Sequence, residues 1–338
     1  HITGMKTLEN HKSKKIEYAT RYNKDLNEVY GHEHAKRALE IAAAGGHNLL
    51  MVGPPGSGKT MLAERLPSIM PAMTDKQALE SAAIASISNK GFDPTTWRKR
   101  IFRSPHHSAS SVALVGGGSH PKPGEISLAH NGVLFLDELP EFNRHVLEVL
   151  REPLESGRIV ISRAANQVEY PANFQLIAAM NPCPCGYLGD ASSHCRCTEE
   201  QIHRYQNKIS GPLMDRLDMV IEVHSIPEAI INQSREADSE TSATIKERVC
   251  DTFKRQLKRS GCANSALKTN DIEQYCGLTE SDKSLLQTAT RKLSLSGRAI
   301  HRILKVSRTI ADLSGYEQIQ TQHLSEAMSY RKKIISSN

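Results

Sequence analysis

Three glycines, a lysine and a threonine in the string Gly53-Pro54-Pro55-Gly56-Ser57-Gly58-Lys59-Thr60 have the types and spacing that a chain of phosphates requires. Glycine at 53, 56 and 58 lets successive backbone N–H groups turn inward, where a side chain would fill the space of a phosphate. Lys59 would contact the outer phosphates, and the Thr60 hydroxyl would ligate Mg²⁺. Two acids complete a hydrolytic set: Asp137 as a further magnesium ligand and Glu138 as the group that polarises the attacking water. Both directly follow the apolar run Gly132 to Leu136. The chemistry expected is hydrolysis of ATP with Mg²⁺.

Three further residues are candidates for the same site. Asn181 ends the apolar run Phe174 to Met180, and in a parallel sheet its amide would lie near the water between Glu138 and the γ-phosphate. Asn-Pro is also a common turn pair, so the local sequence leaves both readings open. Arg216 and Arg298 are candidates to neutralise transition-state charge, because a guanidinium forks onto phosphate oxygens. A surface salt bridge is the alternative for each.

Cys183, Cys185, Cys195 and Cys197 form two Cys-x-Cys pairs separated by nine residues, enough loop to fold both pairs onto one ion. Four thiolates suit tetrahedral Zn²⁺ in a closed, structural site. His194 is the substitute ligand if one thiol is unused, and free thiols or oxidised pairs are the alternatives. Cys250, Cys262 and Cys276 lack such spacing.

Short apolar strands must carry these groups. Asn48 to Val52 precedes the glycine-rich loop, Gly132 to Leu136 precedes the acids, Phe174 to Met180 precedes Asn181, and Met219 to Val223 follows Arg216. Alternation of such strands with helices implies an α/β fold with a parallel sheet covered on both faces. Leu26, Val29, Ala35, Ala38, Leu39, Ala42 and Ala43 keep helical spacing up to Gly45-Gly46, and helical patterns alone follow residue 243, including Asp282 to Leu293 and Arg298 to Leu313. Residues 158–163 and 167–170 read as a hairpin with a polar, basic tip. The expected division is a lead-in at 1–24, an ATPase core at 25–226, a Ser/Glu-rich linker at 227–243 and a helical lid at 244–338.

Over 338 residues the net charge is +6, with 38% apolar and 24% charged residues, and no run approaches the length of a membrane helix. Seven cysteines without a secretory leader fit a cytoplasmic protein better than a disulfide framework. From Thr241 onward, 17 Lys and Arg face 9 Asp and Glu. That excess is compatible with nucleic acid and equally with solvated helix faces. Beginning at His1, the chain reads as part of a longer protein.

In combination the motifs resemble the ComM/YifB family of Mg-chelatase-like AAA+ ATPases. The resemblance spans nearly the whole chain. It rests on Val29-Tyr30-Gly31-His32, the phosphate loop, Phe102-Arg103-Ser104-Pro105-His106-His107-Ser108 and Gly116–Gly118. It continues through residues 123–132, Ala179–Gly186, Ser210–Asp218, Arg298-Ala299, His301–Val306 and Arg308–Leu313. It implies an AAA+ core with a helix-2 insertion at 102–131, a β-hairpin insertion facing a central pore, and a small all-α lid. It further implies a homohexamer in which Asn181 is sensor 1, Arg216 a finger reaching a neighbour's nucleotide, Arg298 sensor 2, and Tyr30 and Gly31 part of the nucleotide pocket. The activity implied is an ATP-driven DNA helicase promoting branch migration in natural transformation, with a Lon-like N-terminal domain lying outside this chain; a metal-insertion chaperone like the magnesium chelatase ATPase subunit, or a nucleotide-gated regulatory module that does not translocate, are the alternatives. Arg163, near the hairpin tip, is then the candidate for contact with the DNA backbone. His106 and His107 are weaker candidates, with packing inside the insertion as the alternative.

Overall fold

Leu49–Val52, Val133–Leu136 and Gln175–Met180 are each buried along their whole length, as expected of strands with covered faces on both sides. The computed structural model describes residues 22–118, 121–162, 167–190, 194–225, 240–293 and 295–331. Its strands in chain order are β1 (Leu49–Val52), β2 (Phe102–Arg103), β3 (Gly116–Gly117), β4 (Lys122–Pro123), β5 (Val133–Leu136), β6 (Arg158–Ser162), β7 (Gln167–Pro171), β8 (Gln175–Met180) and β9 (Met219–Glu222). Five of these form one parallel sheet in the order β2-β5-β8-β1-β9.

Alternate residues of the strands feed two apolar clusters, because successive side chains leave a strand on opposite faces. Leu49, Met51, Phe135, Ile177, Ala179 and Ile221 face Leu39 of the helix Glu33–Gly45 and Val249, Ile303 and Ile310 of the C-terminal helices. Leu50, Val52, Leu134, Leu136, Leu176 and Met180 pack with Phe142, Val146, Leu150, Ile159 and Tyr170 on the other face. The sheet's edge strand β2 was not signalled by the sequence: two residues, Phe102 and Arg103, pair with Val133 and Leu134 without any apolar run of their own. The excursion read as an insertion over 102–131 therefore leaves the sheet only after Arg103. It holds the short helices Ser111–Val115 and Glu125–Leu128 and the β3/β4 pair. Its ends are tied by the fork of Arg103 onto Glu125, at 2.5 and 2.6 Å.

The helix expected from Leu26 onward is interrupted. A turn at Leu26–Glu28, capped by Asp25, is followed by Gly31 and His32, both with φ 59°, and the helix proper runs Glu33–Gly45. Two consecutive left-handed residues cannot continue a right-handed helix. The hairpin expected around residues 158–170 is present as β6/β7, paired from Arg158↔Pro171 to Ser162↔Gln167. Arg163 lies outside the described residues, as does most of the stretch read as a linker.

After Thr241 the chain is helical: Ser242–Ser260, Thr269–Tyr275, Glu280–Leu293, Gly297–Leu313 and Thr321–Ser329. These helices are fixed to the sheet at β9. Val220 N–H donates to Tyr330 O at 2.8 Å, and Arg331 Nη1 donates to Leu217 O at 2.7 Å. Asp218, 3% exposed, accepts from the Asn48 N–H at 2.8 Å and from Arg302 of the helix Gly297–Leu313. No helix among the described residues is long and apolar enough to cross a membrane.

Burial alone would raise the Asp218 pKa, but His47, Arg302 and the Asn48 amide outweigh it and hold the carboxyl well below the usual range. A depressed native pKa means that its stabilising share is complete above the unfolded value near 3.9 and is lost as pH falls below it. Asp218→Ala should lower unfolding free energy by about 3 kcal/mol at neutral pH, because Arg302 and the Asn48 amide lose their shared acceptor. Urea unfolding of parent and variant should show that difference shrinking below about pH 3.9; a gap that stays constant would rule the ion pair out as its source.

Candidate active site

Register brings the catalytic candidates together. Val52 of β1 lies beside Met180 of β8, and Leu136 of β5 lies beside Ala178, so Gly53, Asn181 and Asp137 leave the same edge of the sheet. Crevices at the carboxyl ends of parallel strands are where such sheets bind ligands. Gly53 is held against the backbone there: its N–H donates to Met180 O at 3.2 Å, and a Cβ on it would stand 2.0 Å from Val223 O. Only glycine fits.

Gly56 and Gly58 adopt φ 76° and 84°, and Gly58 caps the helix Lys59–Ala63. The Lys59 ammonium is buried and folded back over its own loop, donating to Gly53 O and Pro54 O at 2.7 Å each and approaching Asn181 Oδ1 at 3.4 Å. Burial lowers its pKa, against the pull of Asp137 and Glu138. Thr60 Oγ1 donates to Asp137 Oδ2 at 2.6 Å. A hydroxyl and a carboxylate converging beside a lysine are hard oxygen donors of the kind Mg²⁺ takes alongside substrate phosphates and waters. Glu138 follows in a left-handed conformation, φ 51° and ψ 47°, its N–H donating to Asp137 Oδ1 at 2.9 Å. His107 Nδ1 lies 2.9 Å from Glu138 Oε2.

The two arginines are in contrasting states. Arg216 is buried and fully engaged: it donates to Arg151 O at 3.2 Å and Pro212 O at 2.6 Å, and pairs with Glu155 at 2.7 Å. Arg298, in the first turn of the helix Gly297–Leu313, is exposed and makes no hydrogen bond or ion pair with another described residue. Tyr30 is 40% exposed at the turn ending in His32, and His32 Nε2 lies 3.5 Å from the position of a Cβ on Gly58. His32 stands in the same string as Tyr30 and Gly31, and only the tertiary structure brings it to the phosphate loop.

The four cysteines of the double Cys-x-Cys converge. Cys183, Cys185 and Cys195 Sγ atoms lie 3.4 to 3.6 Å apart, Cys197 Sγ accepts from the Cys185 N–H at 3.4 Å, and all four sulfurs fall within 4.8 Å of one another. A tetrahedron with Zn–S of about 2.3 Å has S···S edges of about 3.8 Å, so the set fits a zinc ion. The Tyr187 and Arg196 amides pull the Cys185 thiol down to about 6, while burial and the neighbouring thiols push those of Cys195 and Cys197 up. His194 is exposed and stands outside this group. The cluster abuts the nucleotide loop: Gly186, with φ 88°, packs so closely that a Cβ would lie 2.6 Å from Pro55 Cδ.

Sheet order, a glycine-rich loop after β1, acids after β5 and a helical C-terminal part define an AAA+ P-loop nucleotide hydrolase fold. The magnesium chelatase subunit ChlI family model matches residues 25–231, and the model of the ChlI C-terminal region matches 239–331. The chain belongs to this family, whose membership implies nucleotide hydrolysis with Mg²⁺. It is 51% identical over 96% of its length to the competence protein ComM of Haemophilus influenzae, covering 63% of that protein. It is 53% identical over 91% of its length to YifB of Salmonella typhimurium, covering 60% of it. The magnesium-chelatase 38 kDa subunit of Rhodobacter capsulatus is 26% identical over 46% of this chain and 49% of its own length. The chain thus spans about six-tenths of the ComM and YifB relatives.

Elemental analysis of purified protein should find about one zinc per chain, as a closed four-thiolate site predicts; less than half an equivalent would exclude such a site. Gly186→Ala should weaken binding of a fluorescent ATP analogue on the order of tenfold, about 1.4 kcal/mol, with zinc content retained. Unchanged affinity would show that the contact with Pro55 does not support the loop.

Proposed function

We propose that this chain is the motor of a homohexameric, ATP-driven DNA helicase or translocase that promotes branch migration during homologous recombination in natural transformation. The observation that carries the ring assignment is the incompleteness of the site. Lys59, Thr60, Asp137, Glu138 and Asn181 gather at one end of the sheet, and among the described residues no arginine bonds to any of them, whereas phosphoryl transfer needs its charge neutralised. Arg298, exposed and unengaged, serves as sensor 2 once nucleotide is bound. Arg216 serves as the finger toward a neighbour, exchanging Glu155 and the Arg151 and Pro212 carbonyls for phosphate oxygens. Tyr30 and Gly31 border the nucleotide.

In this reading Glu138 takes a proton from water, the hydroxide attacks the γ-phosphorus, and the bond to ADP breaks as Lys59 balances the charge on the leaving group. Thr60 and Asp137 would hold Mg²⁺, which would supply charge neutralisation at the phosphate oxygens. Zinc on Cys183, Cys185, Cys195 and Cys197 is structural. DNA is gripped through its phosphates by the basic hairpin that carries Arg163, in a cytoplasmic protein.

The test is unwinding of forked DNA by the chain with ATP. Parent protein should unwind it, and Glu138→Gln should bind ATP with parent-like affinity while losing turnover by 10²-fold or more and losing unwinding with it. Hydrolysis indifferent to DNA, without unwinding, would instead favour a metal-insertion chaperone resembling the magnesium chelatase subunit. Turnover in Glu138→Gln equal to the parent's would remove Glu138 from the site.

A further inference from the structure

Glu138 is held in a backbone region that costs a non-glycine residue about 1–3 kcal/mol, at φ 51° and ψ 47°. The backbone on either side is fixed: the Glu138 N–H donates to Asp137 Oδ1 at 2.9 Å, and Glu138 O accepts from the Glu141 N–H at 2.7 Å. The side chain has 52% of its surface exposed, and its carboxylate meets His107 Nδ1 at 2.9 Å. His107 comes from the excursion between β2 and the helix Glu125–Leu128, 31 residues earlier in the chain.

That histidine is itself steered. Its ring lies 4.1 Å from the His106 ring and meets the edge of Phe142 at 6.5 Å. His106 is pinned by Ser108, whose hydroxyl lies 2.7 Å from His106 Nδ1 and whose N–H donates to it at 3.2 Å. Phe142 is 4% exposed, anchored in the cluster beneath the sheet four residues after Glu138. The base and the residue that holds His107 in place are thus on one short, rigid segment.

We propose that His107 is the positioning residue of Glu138: its Nδ1–H holds Oε2, leaving Oε1 to accept the proton of the attacking water. The inference rests on Glu138 being the base of hydrolysis. A half-exposed polar contact of this kind contributes little to stability, but a base needs its carboxylate in one orientation, and misplacement by an ångström costs rate far more than it costs folding. The excursion would thereby carry a residue of the catalytic geometry, which packing alone would not require.

The experiment compares His107→Ala, His107→Asn and His107→Gln in the full chain, measuring ATP turnover and affinity for a fluorescent ATP analogue. An Asn amide nitrogen reproduces the place of Nδ1, whereas a Gln amide reaches toward Nε2. His107→Ala should lower kcat on the order of tenfold, part of the 10²–10⁴ that a positioned base supplies, with KM and analogue affinity within about twofold of the parent. His107→Asn should recover most of the loss and His107→Gln should not. His107→Ala combined with Glu138→Gln should turn over no more slowly than Glu138→Gln alone, since the histidine acts through that carboxylate. The proposal is overturned by parent-level or raised kcat in His107→Ala, by equal rescue from Gln and Asn, or by loss of nucleotide affinity alongside kcat. A Glu138→Gln variant that still hydrolyses ATP at the parent's rate would overturn instead the reading of Glu138 on which this one stands.

Discussion

The parallel pairing of β1 with β8, and of β8 with β5, is the constraint from which the site follows. With Val52 beside Met180 and Leu136 beside Ala178, three chain segments leave the sheet within one or two residues of each other. A slip of one residue would send every buried side chain to the opposite face and misplace Asp137 and Asn181 together. The two apolar clusters enforce the register, since Leu49 and Met51 belong to one and Leu50 and Val52 to the other. Packing energy spread over the whole sheet thereby fixes the positions of a few polar atoms at its edge.

The cations near that end of the sheet have partners within the chain. Lys59 donates to two carbonyls of its own loop, and Arg216 is shared among Glu155 and two backbone oxygens. Buried cations that lack partners are costly, so such substitutes are expected. At Lys59 phosphate oxygens would replace two neutral carbonyl acceptors with charged ones, which form stronger hydrogen bonds.

Two elements outside the sheet press on the same loop and acids. Gly186 sets the cysteine cluster against Pro55, and His107 reaches Glu138 from the excursion after β2. Covalent ligation of a metal by four residues close in sequence would stiffen a segment that has little apolar surface of its own to bury. The C-terminal helices are attached from the other side, through Asp218, Arg302 and the Tyr330 carbonyl at β9. Nucleotide chemistry, the cysteine loop and the helical part therefore share one rigid frame.

The sequence by itself marked the candidate groups and most of the frame that positions them. Residues 53–60, the acids after Leu136, the four apolar strands and the double Cys-x-Cys were legible because each depends on local spacing and type. Beyond the reach of local pattern were β2, two residues that become a strand only by pairing with β5, and the break at Gly31-His32. Only the tertiary structure decided that Arg216 is buried on Glu155 while Arg298 stands free, since an arginine's partners come from distant segments and leave no periodicity in the chain. The same holds for His107 at Glu138 and for Gly186 at Pro55. Contacts between segments far apart in sequence are set by the packing of the whole sheet, and short-range spacing carries no record of them.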